Sequence, residues 1–302
     1  MNKVTVVGSI NLDRTIRVVN MPKPGETIHT KEIFSAGGGK GANQAVAAQR
    51  SGAKTRFIGA VGNDSAGKAM LDLLHNEDID LAGITTLDNQ ATGQAYIVVD
   101  DAGENQIMIH AGANQAFTPE YVDSKQELIT DSDFVIAQFE SGVPATIEAF
   151  KIAQEHHVAT ILNPAPAMKE IPADLLAKTD MITPNETETE VLTGIHVDDE
   201  VSMKKAAKSF HKMGIKAVLI TIGSKGTFYD FAGKSGIIPA FKVKAVDTTA
   251  AGDTFIGAMS SVLKPDFSNL TDAILYGNKA SSLTVQRFGA QPSIPYKKEL
   301  VD

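Results

Sequence analysis

Cysteine is absent from this chain of 302 residues. That excludes disulfides, thiolate nucleophiles and cysteine-ligated metals, and it agrees with a reducing compartment. Positive charge is in short supply, with 28 Lys and Arg against 36 Asp and Glu and a formal net charge of -8. An overall basic footprint is therefore missing and nucleic acid is not expected as a partner. No stretch approaches the length of about 18 apolar residues that a membrane span needs, so no membrane partner is expected either. The opening segment MNKVTVVGSINLD has one Lys, a five-residue apolar stretch and an acidic end. A secretory signal needs a longer apolar region and a small-residue cleavage site, so a cytoplasmic location is expected. What remains, 43% hydrophobic and 21% charged, is the composition of a globular protein with a sizeable core.

Val4 to Ile10 is a β-branched run ending in Gly and Ser, which predicts a buried strand. Arg14 to Ser35 is rich in Thr, Val and Ile but broken by Pro22, Pro24 and Gly25, which predicts a two-strand excursion. A second excursion runs from Gly93 to His110, where two apolar stretches flank a turn at Asp100 to Glu104. The two are expected to pair into a small sheet. Helices are expected over Gly41–Ser51 and Ala66–Asn76, the latter with Leu71, Leu73 and Leu74 facing the core, and a strand over Thr55–Val61. From about residue 131 short apolar strands (134–138, 160–163, 181–184, 217–222) alternate with helical segments (144–156, 202–213, 252–262, 272–287). The expected fold is α/β, a mainly parallel sheet flanked by helices on both faces, with a small β-sheet lid. The core is expected over 1–13, 37–91 and 116–302, and the lid over 14–36 and 92–115. Ligands of such sheets bind outside the carboxyl ends of the strands.

The motifs sit at such places. Gly37-Gly-Gly-Lys-Gly-Ala-Asn43 exposes backbone N–H groups and adds the Lys40 charge and the Asn43 amide, groups suited to sugar hydroxyls. As a bare glycine cluster it is equally a turn. It also half-fits a dinucleotide fingerprint, Gly37-x-Gly39-x-x-Ala42, but that needs a preceding strand and a following helix in a βαβ unit. A P-loop is rejected: the only Gly-Lys-Ser is Gly233-Lys234-Ser235, and Phe228 stands where the first glycine belongs. Asp247-Thr-Thr-Ala-Ala-Gly-Asp253 places small residues before an apolar helix whose first N–H groups stay free for a γ-phosphate. Asp253 in its first turn is either a simple dipole partner or a catalytic carboxylate aimed at the same space.

Asn11 and Asp13, two apart at a strand end, face one side and could bind a sugar, or form an Asx turn. Glu140 follows an apolar strand. Asn185 and Glu188 share a helix face and could hold hydrated Mg²⁺, or simply start the helix. Thr221 to Gly226 is a loop suited to a nucleotide, or a plain turn. The seven histidines (His29, His75, His110, His156, His157, His196, His211) have no zinc-site spacing and receive no catalytic role.

In order and spacing these pieces resemble the PfkB-type carbohydrate kinase family over nearly the full chain. The matching stretches are Asn11-Leu-Asp13, Gly38 through Asn43, Glu140, Asn163-Pro-Ala-Pro-Ala167, Asn185-x-x-Glu188, Asp247 through Asp253, and Gly289-Ala-Gln-Pro-Ser293. The resemblance implies ATP-dependent phosphorylation of a sugar, and the Asn-Leu-Asp and Gly-Lys-Gly-Ala-Asn variants favour the 5-hydroxyl of ribose over fructose or nucleosides. It implies that Asn11, Asp13, Gly39, Lys40, Asn43, Glu140 and Asp253 hold the sugar, with Asp253 as base and Ala250, Ala251 and Gly252 forming the anion hole. Nucleotide would lie along Asn185, Thr221, Gly223, Ser224, Gly226, Gly252 and Asn278. Mg²⁺ would be held near Glu188 through water, and K⁺ as activator by Asp247, Thr249, Thr284, Arg287, Gly289 and Ser293. The small sheet would be a lid and the contact of a homodimer. Ala250 replaces the signature's commoner Gly and keeps its N–H. The rival readings are a kinase for 2-deoxyribose or another pentose, and a sugar-binding regulatory protein without catalysis.

Overall fold

The computed structural model describes residues 1–300. Its strands are β1 (Lys3–Val7), β2 (Asn11–Arg17), β3 (Glu32–Gly38), β4 (Lys54–Gly62), β5 (Asp80–Leu87), β6 (Gly93–Val99), β7 (Asn105–His110), β8 (Phe134–Ala137), β9 (Ala159–Leu162), β10 (Met181–Ile182), β11 (Ala217–Thr221), β12 (Thr227–Phe231) and β13 (Lys234–Ile238). Nine form one sheet in the order β13-β12-β11-β10-β9-β8-β1-β4-β5. From β11 to β5 every pairing is parallel, and the β12–β13 hairpin closes one edge antiparallel.

Alternate strand residues enter separate cores because successive side chains point to opposite faces. Val4, Val6, Phe57, Phe134, Ile136 and Leu219 pack beneath the helices α1 (Lys40–Arg50), α2 (Ser65–Asn76), Ala251–Val262 and Leu270–Thr284. Val7, Ile58, Val135, Ala137, Leu162 and Ile220 pack beneath Val143–Glu155 and Glu200–Lys212. Parallel strands covered on both sides read as continuous apolar runs, and these do.

The other four strands form a separate sheet, β3-β2-β6-β7, with β2 and β6 parallel and the outer pairs antiparallel. Asn11 and Asp13 lie inside β2, opposite Gly38 and Ala36. The expected Val4–Ile10 strand is divided: β1 ends at Val7, and after Gly8 to Ile10 the chain enters the small sheet. Several elements went unpredicted: β5, the β12–β13 hairpin, the short helices between residues 113 and 130, and the helix Ala173–Leu176. Of the three leucines expected in the core from α2, Leu74 is buried and Leu71 half-buried, but Leu73 is 40% exposed. Among the described residues no helix is long and apolar enough to cross a membrane.

Candidate active site

At the carboxyl ends of the parallel strands lies a cleft of about 180 Å³ that brings together Lys40, Asn185, Glu188, Thr221, Gly252 and Asp253. A larger cavity, about 460 Å³, opens at the amino ends beside His157, Asp180 and Lys216; none of the predicted site residues lines it.

The helix Ala251–Val262 carries the centre of the cleft. Its N-cap, Ala250, takes the left-handed conformation (φ 58°, ψ 11°) and offers no side-chain cap. Ala251 N donates to Thr248 O at 3.2 Å. Among the described residues the N–H groups of Ala250, Gly252 and Asp253 have no partner, so three donors and the positive end of the helix remain available. A Cβ on Gly252 would meet only open space, so that residue borders the cleft with bare backbone.

The Asp253 carboxylate, 6% exposed, is held at both oxygens. Asn43 Nδ2 donates to Oδ2 at 3.0 Å and Gln44 Nε2 to Oδ1 at 2.9 Å. Asn43 Oδ1 is buried without a partner, an acceptor free for a hydroxyl group. Glu140 Oε2 accepts from Ser9 Oγ at 2.6 Å and from Lys40 N at 2.9 Å. Asn114 exchanges hydrogen bonds with the backbone of Ile10 and donates to Asn11 Oδ1 at 2.8 Å, leaving the Asn11 NH₂ group to face outward.

Asp13 lies over Gly38, where a Cβ would stand 2.0 Å from Oδ2. Burial, with Glu140 and Asp253 nearby, raises its pKa from 3.8 to about 7. Asp253, with Glu140 and Glu188, raises that of Lys40 against its burial. The site is thus an anionic pocket with one cation at its centre, rich in acceptors for hydroxyl groups.

Close approach explains the glycines. Gly39 has φ 86°, and a Cβ on Gly41 would stand 2.6 Å from Ser9 N, so α1 starts directly against the β1–β2 bend. A strand does precede this loop and a helix follows, as the dinucleotide fingerprint requires. The strand, however, is antiparallel and belongs to the small sheet, so no βαβ unit is formed.

On the other flank, Asn185 and Glu188 form a reciprocal capping box at the start of the helix Glu186–Thr193, with bonds of 2.8 and 2.9 Å. The helix-start reading of this motif is met, and the same pair also lines the cleft. Burial raises the pKa of Glu188. Asn185 bridges to Thr221, and Gly223–Lys225 form a short 3₁₀ turn that Ile222 N closes onto Gly226 O. Asn278 differs from the others. Its amide accepts from Thr227 Oγ1 and donates to Ile238 O and Pro239 O, so its polar groups are spent within the fold and it does not line the cleft.

The residues expected at a cation site also converge in part. Asp247 accepts from Thr249 N and Oγ1 and from Gly289 N. Burial pushes its pKa up, but these donors hold it below the ordinary value. Arg287 Nη1 reaches Ser293 O at 3.5 Å, whereas the Thr284 hydroxyl turns to Thr254 and Ala280. Among the described residues nothing donates a hydrogen bond to the carbonyls of Thr249, Arg287 and Gly289. One carboxylate among free carbonyls is a donor set that fits a monovalent cation. No cluster of three or more His, Cys, Asp or Glu suited to a metal occurs among the described residues.

Sequence reasoning missed Ser9, Gln44, Asn114 and Gln138. A glutamine ending the apolar run Phe134 to Ala137 was a legible signal, because a buried amide demands partners. Gln44 and Asn114 stood among ordinary helix formers and carried none.

A buried carboxylate at an open helix tip beside an acceptor-lined cleft suits a sugar kinase, and residues 1–297 match the model of the pfkB family of carbohydrate kinases. The chain belongs to that family. It is 50% identical to the ribokinase of Staphylococcus aureus, over 99% of this chain and 98% of that protein. It is 52% identical to the bifunctional ribokinase/ribose-5-phosphate isomerase A of Fructilactobacillus sanfranciscensis over its whole length, but spans 56% of that relative. The structure of the Arabidopsis thaliana ribokinase complexed with ribose and ATP superposes with a TM-score of 0.92 at 32% identity, covering 99% and 97% of the two chains.

Proposed function

We propose that this chain is a ribokinase, transferring the γ-phosphoryl group of ATP to the 5-hydroxyl of D-ribose to give ribose 5-phosphate. The observation that carries the reading is the buried Asp253 carboxylate beside three unpartnered N–H groups on one helix tip. Ribose is held by Asn11, Asp13, Gly39, Lys40, Asn43 and Glu140, and Asp253 accepts the hydroxyl proton during in-line transfer. The transferring group passes through a loose transition state, so positioning and charge stabilisation dominate. The N–H groups of Ala250, Gly252 and Asp253 meet the developing charge, and Lys40 adds a cation. ATP lies along Asn185, Thr221, Gly223, Ser224 and Gly226, with Asn278 fixing the wall behind it.

Mg²⁺ would be held near Glu188 through water, since Asn185 already engages both oxygens of that carboxylate. When bound, it neutralises phosphate charge. K⁺ would be held by Asp247 with the carbonyls of Thr249, Arg287 and Gly289 and the neighbouring Thr284 and Ser293, stiffening the loop that leads into the anion hole.

The small sheet, whose strands β2 and β3 run past the expected lid bounds of 14–36 at Asn11 and Gly38, acts with 92–115 as a lid that closes over ribose and excludes water. The same sheet supports a homodimer. Ile33, Phe34, Ile107, Met108 and Ile109 are 42% to 61% exposed on it, and β7 is an open edge. Use of ATP and the lack of cysteine support a cytoplasmic setting. The test is ADP release with ribose, 2-deoxyribose and fructose, each with and without K⁺. Ribose-dependent release that exceeds the other two supports the reading, and equal or greater rates with 2-deoxyribose reassign the substrate.

A further inference from the structure

We propose that Gln44, which lines neither the sugar pocket nor the nucleotide cleft, is a positioning residue that orients the Asp253 carboxylate for proton transfer. The inference rests on the kinase reading of the site. Its starting point is a group that can only accept, the backbone carbonyl of Thr183. Asn163 Nδ2 donates to it at 3.2 Å, which turns Asn163 Oδ1 the other way. That oxygen lies 3.1 Å from Gln44 Nε2, so Gln44 must present its NH₂ group on this side. The second hydrogen of the same nitrogen reaches Asp253 Oδ1 at 2.9 Å. On the opposite side Gln44 Oε1 accepts from Gln138 Nε2 at 2.6 Å.

Every orientation in this relay is thus dictated by its neighbour, from a strand-end carbonyl to the reactive carboxylate. Gln44 and Gln138 are fully buried, so water cannot take their places, and Asn163, 7% exposed, is the one amide of the three that borders the cleft. Gly8 makes the room, because a Cβ there would stand 2.2 Å from Gln138 Oε1. A buried amide cluster that merely satisfied its own polarity would have no reason to end on the base. Asn43, one residue earlier in the same helix, engages the other carboxylate oxygen, so the plane of the carboxylate is fixed and its remaining lone pairs face the cleft.

Two substitutions separate positioning from packing. Gln44→Met keeps length and volume but removes the donor. Gln44→Glu keeps the acceptor for Gln138 and sets an oxygen against Asp253. In Gln44→Met, kcat is expected to fall about ten- to hundredfold while the ribose Kd by calorimetry stays within about threefold. In Gln44→Glu, the acidic limb of the kcat/KM profile is expected to move up by about one pH unit, because a second carboxylate opposes ionisation of the first. Gln138→Leu, which loosens Gln44 from a distance, should lower kcat in the same direction by less, and it carries the test if either Gln44 variant fails to fold. An unmoved profile and unchanged kcat, or rate and ribose binding lost in parallel, would overturn the proposal. If the unaltered chain released no ribose-dependent ADP, the kinase reading itself would fail, and the Gln44 role with it. An active parent with undisturbed variants would sink the Gln44 role alone.

Discussion

At the residue scale, the site is built from groups that destabilise the empty protein. Asp13 is the clearest case, with its carboxyl pKa raised from 3.8 to about 7 by burial and by Glu140 and Asp253. A raised acid pKa means that the folded state binds the proton more tightly than the unfolded chain does. The penalty is therefore absent below pH 4, grows as pH rises, and is complete above pH 7, where it amounts to about 4 kcal/mol. Asp13→Asn should consequently raise the melting temperature of the ligand-free protein at pH 8, by less at pH 5, and should abolish ribose binding. Thermal scans at the two pH values check the first claim and calorimetry the second. A gain independent of pH would contradict it. The spacing of this carboxylate to Asn11 on one strand was legible in the sequence, and it left both a sugar contact and an Asx turn open. Its perturbed titration was not legible, because Glu140 and Asp253 come from distant parts of the chain and meet it only in the fold.

At the element scale, the helix Ala251–Val262 and its entry loop decide the chemistry. Ala250 sits in the left-handed region at φ 58°, a conformation that costs a residue with a Cβ roughly 1–2 kcal/mol. Ala250→Gly should therefore stabilise the protein by up to about 1 kcal/mol in denaturant titration, with turnover little changed because the N–H remains. Gly252→Ala should act the other way round. Its Cβ enters open cleft space, so folding is expected to be nearly unaffected while kcat/KM for ATP falls by about tenfold or more. The small-residue run before an apolar helix announced this tip in the sequence. The capping box of Asn185 and Glu188 was equally readable as a helix start, and the structure makes it both cap and cleft wall. β5 and the β12–β13 hairpin escaped notice for a different reason. Strand β5 is only partly buried and β12–β13 lies at the sheet edge, so neither carries the continuous apolar signature of the central parallel strands.

At the scale of the whole molecule, the parallel sheet gathers loops from β1, β8, β9, β10 and β11 at one end, and the small sheet rises from the β1–β2 bend beside them. Asn11 and Asp13 lie within β2, so under the proposed function the small sheet and the sugar contacts share a strand. Exposed apolar residues stand on both edge strands of the small sheet, Ile33 and Phe34 on β3 and Ile107, Met108 and Ile109 on β7, and they carry the proposed dimer contact. Ile109→Lys should shift sedimentation toward the monomer and leave the melting of the α/β body unchanged; a dimer that persisted would place the contact elsewhere. The alternation of strands and helices after residue 131 made the body readable, whereas the meeting of the β9, β10 and β11 ends with the helix tip at one cleft belongs to topology alone. The most direct measurement is a paired one on Asp253→Asn, comparing ribose-dependent ADP release with ribose affinity. Turnover should drop by at least about a thousandfold with ribose still bound. Turnover kept near that of the parent protein would mean that this carboxylate does not take the proton.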